Sequence, residues 1–177
     1  MKQKGTRKGC PYKYGGETFE MNPEDQLPAQ YFRAGAGALI INDQGLVLAL
    51  ERSDVPRSWQ LPQGGLQQDE TPEQAVYREI LEETGIPDRD LELLESFPGP
   101  LVYELPKRLR TERTGRGQAL YWFLFRFQAR DGELQFPTKG EFLTWKWIRF
   151  RWLLEKTAQF RQPVYEQLAG HWNRYLR

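Results

Sequence analysis

The stretch GGLQQDETPEQAVYREILEETGI, residues 64–86, decides the fold because it joins a glycine turn to a helix with a start signal and an end signal of its own. Thr71 followed by Pro72 is typical of a helix start, where threonine caps free N–H groups and proline fits the first turn. Thr71 and Gln74 also have the spacing of a capping box. Gly85 favours the left-handed conformation that ends helices. The sequence therefore predicts a helix that begins after Thr71 and ends at Gly85.

Three carboxylates are predicted to share one face of this helix. Glu79, Glu82 and Glu83 are spaced by three and four residues, which places them side by side. The opposite face, expected to pack against a sheet, carries Tyr77, Ile80, Leu81 and Thr84. Clustered carboxylates repel one another unless cations compensate, and hard oxygen ligands suit Mg²⁺ or Mn²⁺ held jointly with substrate phosphates. A solvated acidic face is the simpler alternative, but the preceding glycine turn and Arg78 favour a metal-dependent phosphate site.

Short β-prone segments precede the helix. Runs at 33–41 and 46–51 are separated by Asn-Asp-Gln-Gly at 42–45, which is typical of a hairpin. The segment SWQLPQGG at 58–65 contains one proline and two glycines, and it is predicted to form a stiff turn. Its carbonyl groups could supply a further hard ligand to a metal.

Strands, a basic loop and a closing helix are predicted after the central helix. Strand patterns lie at 91–97, 100–105, 119–128 and 141–148. The loop at 106–117 holds five basic residues and one acid, so it is either solvated surface or a surface that steers a polyanion. Apolar residues recur at helical spacing near the C-terminus at Val164, Leu168, Trp172 and Leu176. The pattern predicts an α+β fold with a central mixed sheet between helices.

Length and composition bound the remaining possibilities. A chain of 177 residues with net charge +1 fits one domain with a sizeable core. The single cysteine, Cys10, excludes an internal disulfide, and the single histidine, His171, excludes a multi-histidine metal site. No apolar run approaches a membrane span, so we expect a cytoplasmic protein with no membrane contact. We further expect a monomer. Residues 1–30 are predicted to form a polar extension, either a solvated tail or an RNA-touching arm, and 31–177 the domain.

The opening stretch also resembles the signature of a known family. Seven residues have the identities and spacing of a complete Nudix box: Gly64, Glu70, Arg78, Glu79, Glu82, Glu83 and Gly85. Further segments resemble bacterial RNA pyrophosphohydrolases: SWQLPQGG, YELPKRL at 103–109, GQ at 117–118, WFL at 122–124 and FRQPVY at 160–165. Dinucleoside polyphosphate hydrolases share much of this pattern. The resemblance runs from about Tyr31 to the C-terminus and implies a Nudix-type α/β/α sandwich.

The resemblance implies a metal site. The metal-binding positions of the family correspond to Gly64, Glu79, Glu82, Glu83 and Glu141. Magnesium is the expected cofactor, with manganese as the alternative. Glu79 is the expected general base, with Arg78 and Glu82 completing the catalytic set, although Glu141 could serve as the base instead. The implied reaction is attack of water on a phosphoanhydride phosphorus.

Substrate contacts are implied in the same way. Arg33 and Arg52 resemble the arginines that contact 5′ phosphates, and Phe160 and Arg161 resemble residues that meet the second nucleotide. The remaining expected substrate-binding residues are Gln63, Tyr103, Lys107 and Arg108.

Three functions remain open from the sequence. The leading prediction is an RNA pyrophosphohydrolase that converts a 5′-triphosphate RNA end to a monophosphate. A hydrolase of dinucleoside polyphosphates such as diadenosine tetraphosphate would use the same metal site, and Tyr103 suits both classes. A Nudix module that binds nucleotides or RNA without cleaving them is the third possibility, and the intact carboxylates argue against it.

Overall fold

The computed structural model describes residues 30–129 and 140–177, together with two short paired strands, β1 (Lys13–Tyr14) and β2 (Glu17–Thr18). The predicted extension at 1–30 therefore lies almost entirely outside the described residues. None of the helices in the described ranges has both the length and the apolar character that a membrane crossing requires.

A mixed sheet organises the described chain. Its eight described strands are β3 (Phe32–Ile41), β4 (Val47–Arg52), β5 (Trp59–Gln60), β6 (Gln63–Gly65), β7 (Leu91–Ser96), β8 (Leu101–Glu104), β9 (Gly117–Phe127) and β10 (Phe142–Ile148). The main strand order is β10-β4-β3-β9-β7. Strands β3 and β9 run parallel and their neighbours antiparallel, which confirms the predicted mixed sheet.

Helices cover both faces of this sheet. Helix α1 (Pro72–Thr84) packs on one face through Ala75, Val76 and Ile80, and α2 (Phe150–Lys156) and α3 (Gln162–His171) pack on the other. Alternate residues of β3 accordingly enter two separate cores, which is why its second half is apolar without interruption. The predicted α/β/α sandwich is confirmed. Short 3₁₀ turns occur at Asp88–Asp90, Lys107–Leu109, Gln159–Arg161 and Asn173–Tyr175.

Strands β3 and β4 diverge after their hairpin, and this divergence creates the place for the site. They pair only at Ile41 and Val47, next to a turn in which the Asn42 side chain accepts N–H groups of the loop. Farther along, β3 pairs with β6 and β4 pairs with β5. The turn that joins β5 to β6 therefore fills the wedge between the two strands.

Three details differ from the sequence prediction. Leu81, expected on the packed face, is 49% exposed, because α1 meets the sheet through positions one residue earlier in each turn. The helical spacing predicted at the C-terminus included Trp172 and Leu176, but the helix ends at His171. Beyond that end, the Trp172 indole N–H donates a hydrogen bond to the Glu95 carboxylate at 3.1 Å. Helix α2 was not predicted, since only Phe150 and Leu153 of its seven residues are buried.

Candidate active site

Both ends of α1 are fixed as the sequence predicts. The Thr71 hydroxyl accepts the backbone N–H of Gln74 at 3.2 Å, and the Gln74 side chain accepts the N–H of Thr71 at 2.9 Å. Gly85 closes the helix with φ of 75° and donates its N–H to Leu81. A helix locked at both ends presents its carboxylates in a fixed register toward β6.

The carboxylate of Glu79 lies directly against the glycine turn. A Cβ atom on Gly64 would come within 2.0 Å of the Glu79 carboxyl group, so a side chain at this position cannot coexist with the observed Glu79. A Cβ atom on Gly65 would come within 2.1 Å of the Arg33 guanidinium. Gly64 pairs with Ala36 of β3, which holds the turn on the sheet. Helix, turn and strand therefore converge on Glu79, with Arg33 next to the turn.

Arg78 ties the helix to the loop before it. Its Nε and one terminal nitrogen bind both oxygens of Glu70 at 2.7 and 2.8 Å, and the Gly65 carbonyl accepts a further N–H at 3.0 Å. Its other terminal nitrogen lies 2.7 Å from Glu79 Oε1 and 3.4 Å from Glu82 Oε2. Arg78, predicted as part of the catalytic set, is thus placed to orient these carboxylates, and Glu70 is the residue that holds it.

The buried carboxylates of the site carry negative charge that their neighbours compensate only in part. Burial raises the pKa of the Glu83 carboxyl well above its ordinary value, and the charge of Glu79 raises it further. The backbone N–H of Gln63, 3.1 Å from Glu83 Oε2, opposes this shift only in part. Burial also raises the pKa of Glu79, although the hydrogen bond from Arg78 acts in the opposite direction. The pair is electrostatically costly as it stands.

Glu141 and Arg52 lie at the mouth of the site. Ser53 donates its N–H and its hydroxyl to the Glu141 carbonyl at 2.8 and 2.9 Å, and this fixes the residue beside the end of β4. The Glu141 side chain is 73% exposed and lies 3.8 Å from an Arg52 terminal nitrogen. Its charge also contributes to the raised pKa of Glu83, so the two carboxylates lie within electrostatic range of each other.

This donor set fits a hard divalent cation. A cation between Glu79 and Glu83 would offset the cost of burying both carboxylates and the effect of the Glu79 charge on Glu83, and carboxylate oxygens are the ligands such ions prefer. In residues 30–129 and 140–177, no three acidic, histidine or cysteine side chains enclose an ion as they are placed, and Arg78 draws Glu79 and Glu82 to one side. The electrostatics of the carboxylates, rather than a closed cage, indicate the metal.

Gln63 links the carboxylates to the substrate side of the site. Its side chain is almost fully buried and donates from Nε2 to the Tyr103 hydroxyl at 2.9 Å and to Gln118 Oε1 at 3.0 Å. The Tyr103 hydroxyl also donates to Gln118 Oε1. Because the Gln63 backbone N–H binds Glu83, one residue joins the acidic cluster to Tyr103.

Aromatic and basic groups gather beyond Tyr103. Its ring lies 5.5 Å from the ring of Phe160, and the Arg161 guanidinium stacks over Phe160 at 4.8 Å. Arg161 is nearly buried, and its Nε has no hydrogen-bond partner within the described residues. The fold therefore brings three of the predicted substrate-binding residues into contact.

An opening of about 490 Å³ adjoins this aromatic group. It is lined by Pro106, Arg108, Ala158, Gln159 and Phe160. Lys107 lies on the same 3₁₀ turn as Arg108, and both side chains are exposed. The basic loop thus borders the opening rather than the carboxylates.

Sequence reasoning gave no role to two residues that the structure places in the site. Glu70 was noted as a fixed position of the box, and its spacing of eight residues from Arg78 is the signal that could have paired them. Gln118 stands in the GQ pair that was noted, but its contact with Gln63 spans 55 residues and depends on the sheet.

The comparisons with known proteins agree with this geometry. The family model described as NUDIX domain matches residues 31–168. The chain is 39% identical over 156 residues to an RNA pyrophosphohydrolase of Rhodospirillum rubrum, covering 85% of this chain and 93% of that protein. It is 37% identical over 150 residues to an RNA pyrophosphohydrolase of Zymomonas mobilis, covering 82% and 97%.

A solved structure supports the fold independently. The C. elegans Ap4A hydrolase binary complex resembles this chain with a TM-score of 0.63 and 22% identity, covering 80% of this chain and 98% of that one. At this identity the likeness shows the fold alone.

Proposed function

This chain belongs to the NUDIX family, and on that premise we propose that it is an RNA pyrophosphohydrolase that leaves a 5′-monophosphate end. The observation that carries the reaction class is the pair of buried carboxylates, Glu79 and Glu83, set against the Gly64 turn, where the charge of Glu79 raises the pKa of Glu83. The substrate class is supported by the two bacterial relatives, which are named RNA pyrophosphohydrolases and are matched over nearly their whole length.

Magnesium is the divalent metal we propose for this site. Glu79, Glu83 and Glu141 would hold it, with Glu82 and the Gly64 backbone as the remaining candidate ligands. When bound, magnesium neutralises phosphate charge and lowers the pKa of a coordinated water. Manganese, with the same preference for oxygen, is the alternative.

Glu79 is the general base in this proposal. Its carboxyl lies against the Gly64 turn, next to the carboxylates that would hold the metal and its coordinated water. The 2.7 Å contact from Arg78 fixes one carboxylate oxygen and leaves the other to receive the proton of the attacking water. Glu82, which is 56% exposed, is expected to assist rather than to accept the proton.

Cationic and aromatic side chains bind the substrate in this proposal. Arg33 lies next to Gly65 of the glycine turn and Arg52 lies at the mouth of the site, and both would hold the 5′ phosphates. Lys107 and Arg108 would attract the polyanion from solution. Tyr103, Phe160 and Arg161 would accept a base by stacking, next to the 490 Å³ opening. Acting on RNA also fits a cytoplasmic monomer, which we propose as the working form.

The test is magnesium-dependent turnover of a short 5′-triphosphate RNA beside diadenosine tetraphosphate, with the Glu79→Gln variant as the inactive control. We expect a higher kcat/KM on the RNA and a 5′-monophosphate product. Preference for the dinucleotide would replace the RNA assignment with dinucleoside polyphosphate hydrolysis at the same carboxylates. Binding of either substrate without turnover would indicate a non-catalytic module.

A further inference from the structure

An acidic residue outside the metal site holds Arg52. Asp54, two residues beyond the end of β4, accepts hydrogen bonds from Arg52 Nε and from one Arg52 terminal nitrogen, both at 2.7 Å. Such a two-bond pair fixes the plane of the guanidinium as well as its position. Hydrogen bonding to Asp54 is also the largest influence that raises the pKa of Arg52.

The guanidinium edge that Asp54 does not occupy lies next to Glu141. The second terminal nitrogen of Arg52 lies 3.5 Å from Gln60 Oε1 and 3.8 Å from Glu141 Oε2. Glu83 also acts on Arg52 electrostatically, which places the guanidinium within range of the buried carboxylates. A guanidinium has five N–H donors, of which Asp54 accepts two and Gln60 accepts one, so two remain for an anion.

The loop that carries Asp54 is itself fastened down. Ser53 binds the Glu141 carbonyl, and the Arg52 N–H donates to the Ser58 carbonyl at 2.9 Å. Arg57 adopts a left-handed conformation with φ of 66° and donates its N–H to Glu51 at 2.9 Å. A strained non-glycine residue persists only where its surroundings define it, so the loop has a specific shape.

We propose that Asp54 is a positioning residue that clamps Arg52 so that the edge of the guanidinium facing Glu141 binds a substrate phosphate beside the carboxylates. The proposal rests on the proposed function, because it takes the substrate to be a polyphosphate at this site. The opposite role, a carboxylate that masks Arg52 from phosphate, would require Asp54 to occupy the edge facing Glu141. Asp54 instead occupies a different edge, and the edge facing Glu141 carries only the longer contacts to Gln60 and Glu141.

A double-mutant cycle tests the clamp. We expect Asp54→Asn to raise KM about 5- to 10-fold and to change kcat less than about 2-fold, because it loosens a phosphate ligand without touching the reacting atoms. In an Arg52→Ala background, which already lacks the guanidinium, Asp54→Asn should have no further effect. Equilibrium binding of an RNA with a methylene-bridged 5′-triphosphate, which cannot be hydrolysed, should weaken by the same factor as KM rises.

A matched ion pair provides the control. Glu92 and Arg126 form a comparable surface pair at 3.2 Å on the edge formed by β7 and β9, and Glu92→Gln should leave KM and kcat unchanged. Thermal unfolding of every variant checks that the fold is retained.

Three outcomes are informative. A lower KM in Asp54→Asn would overturn the clamp in favour of a mask. Equal losses with and without the Arg52 side chain would show that Asp54 acts only on the loop, which also overturns it. If the wild type prefers diadenosine tetraphosphate, the proposed RNA function fails, and the cycle measured on that dinucleotide still decides the clamp.

Discussion

The carboxylate face of α1 (Glu79, Glu82 and Glu83) and the aromatic rim (Tyr103, Gln118 and Phe160) belong to one site but are assembled in opposite ways. The face is held by short-range contacts, such as the eight-residue step from Glu70 to Arg78. The rim is held across the whole chain: Gln63 reaches Tyr103 over 40 residues and Gln118 over 55. The helical part of the proposed metal site is therefore a locally encoded unit, whereas Glu141 and the substrate-recognition residues depend on contacts that exist only after the sheet forms.

This comparison predicts that changes on the helix reduce kcat and that changes on the rim raise KM. The largest effect is expected for Glu83→Gln, which keeps the shape of the side chain but removes its charge. We expect turnover to fall on the order of 10³-fold, because metal binding and water activation are both lost. Glu73→Gln, a change of an exposed acid in the first turn of the same helix, should retain full activity.

The same variant should respond to pH in a defined way. Both the folded and unfolded states protonate Glu83 below its ordinary pKa of 4.5, so the carboxyl then costs no stability. Between 4.5 and the raised folded pKa, only the unfolded state ionises, so metal-free wild-type protein loses stability as pH rises. Glu83→Gln lacks this loss, and its Tm advantage without metal should grow with pH across that window. A constant difference in Tm at all pH values would contradict the buried charge.

Gly64→Ala is expected to have the next largest effect. Its Cβ would overlap the Glu79 carboxyl, so the carboxylate or the turn must move, and small displacements of reacting groups cost about 10²-fold in rate. Gly170→Ala on α3 is the matched control, since nothing lies within 4 Å of its Cβ. The control should keep full activity and gain up to about 1 kcal/mol of stability from helix propensity. An unchanged kcat in Gly64→Ala would show that Glu79 does not need its observed position.

The difference between the two regions also explains how far the sequence could be interpreted. Helix α1, its cap at Thr71 and its end at Gly85 follow from local rules, and the structure confirms them. The mixed sheet followed from the order of strands and helix. The prediction of which α1 side chains are buried was wrong at Leu81, because the angle at which a helix meets a sheet depends on tertiary packing.

The residues of the rim could be assigned to substrate binding only through the family resemblance. Nothing in the spacing of Tyr103, Gln118 and Phe160 indicates that they meet, because β8, β9 and the turn before α3 come together only in the folded chain. The ion pair between Asp54 and Arg52 could not be predicted from the sequence either, because two residues of opposite charge two positions apart are common on any surface.

Gln118→Ala tests whether the rim acts on binding. It would leave the Tyr103 hydroxyl and the Gln63 amide without their shared acceptor in a buried place, a loss of about 1–3 kcal/mol. We expect kcat/KM to fall about 10-fold, mostly through KM, because Glu83 keeps its own backbone contact. Gln128→Ala, at the far end of β9, should leave both constants unchanged. A loss confined to kcat would mean that the network positions the carboxylates rather than the substrate.

The smallest effect is expected for Arg108→Ala, which removes one exposed charge from the edge of the opening. Electrostatic steering by one surface charge should be worth about 2- to 3-fold in kcat/KM at low salt and should vanish as salt screens it. Arg89→Ala removes the same charge near β7, about 30 Å away along β9 by strand geometry, and should have no effect. If Arg108→Ala instead lowered activity equally at all salt concentrations, the arginine would be a direct phosphate ligand. The basic loop would then act through direct contact with the substrate. Only the aromatic groups would still distinguish the substrate-binding region from the carboxylate face.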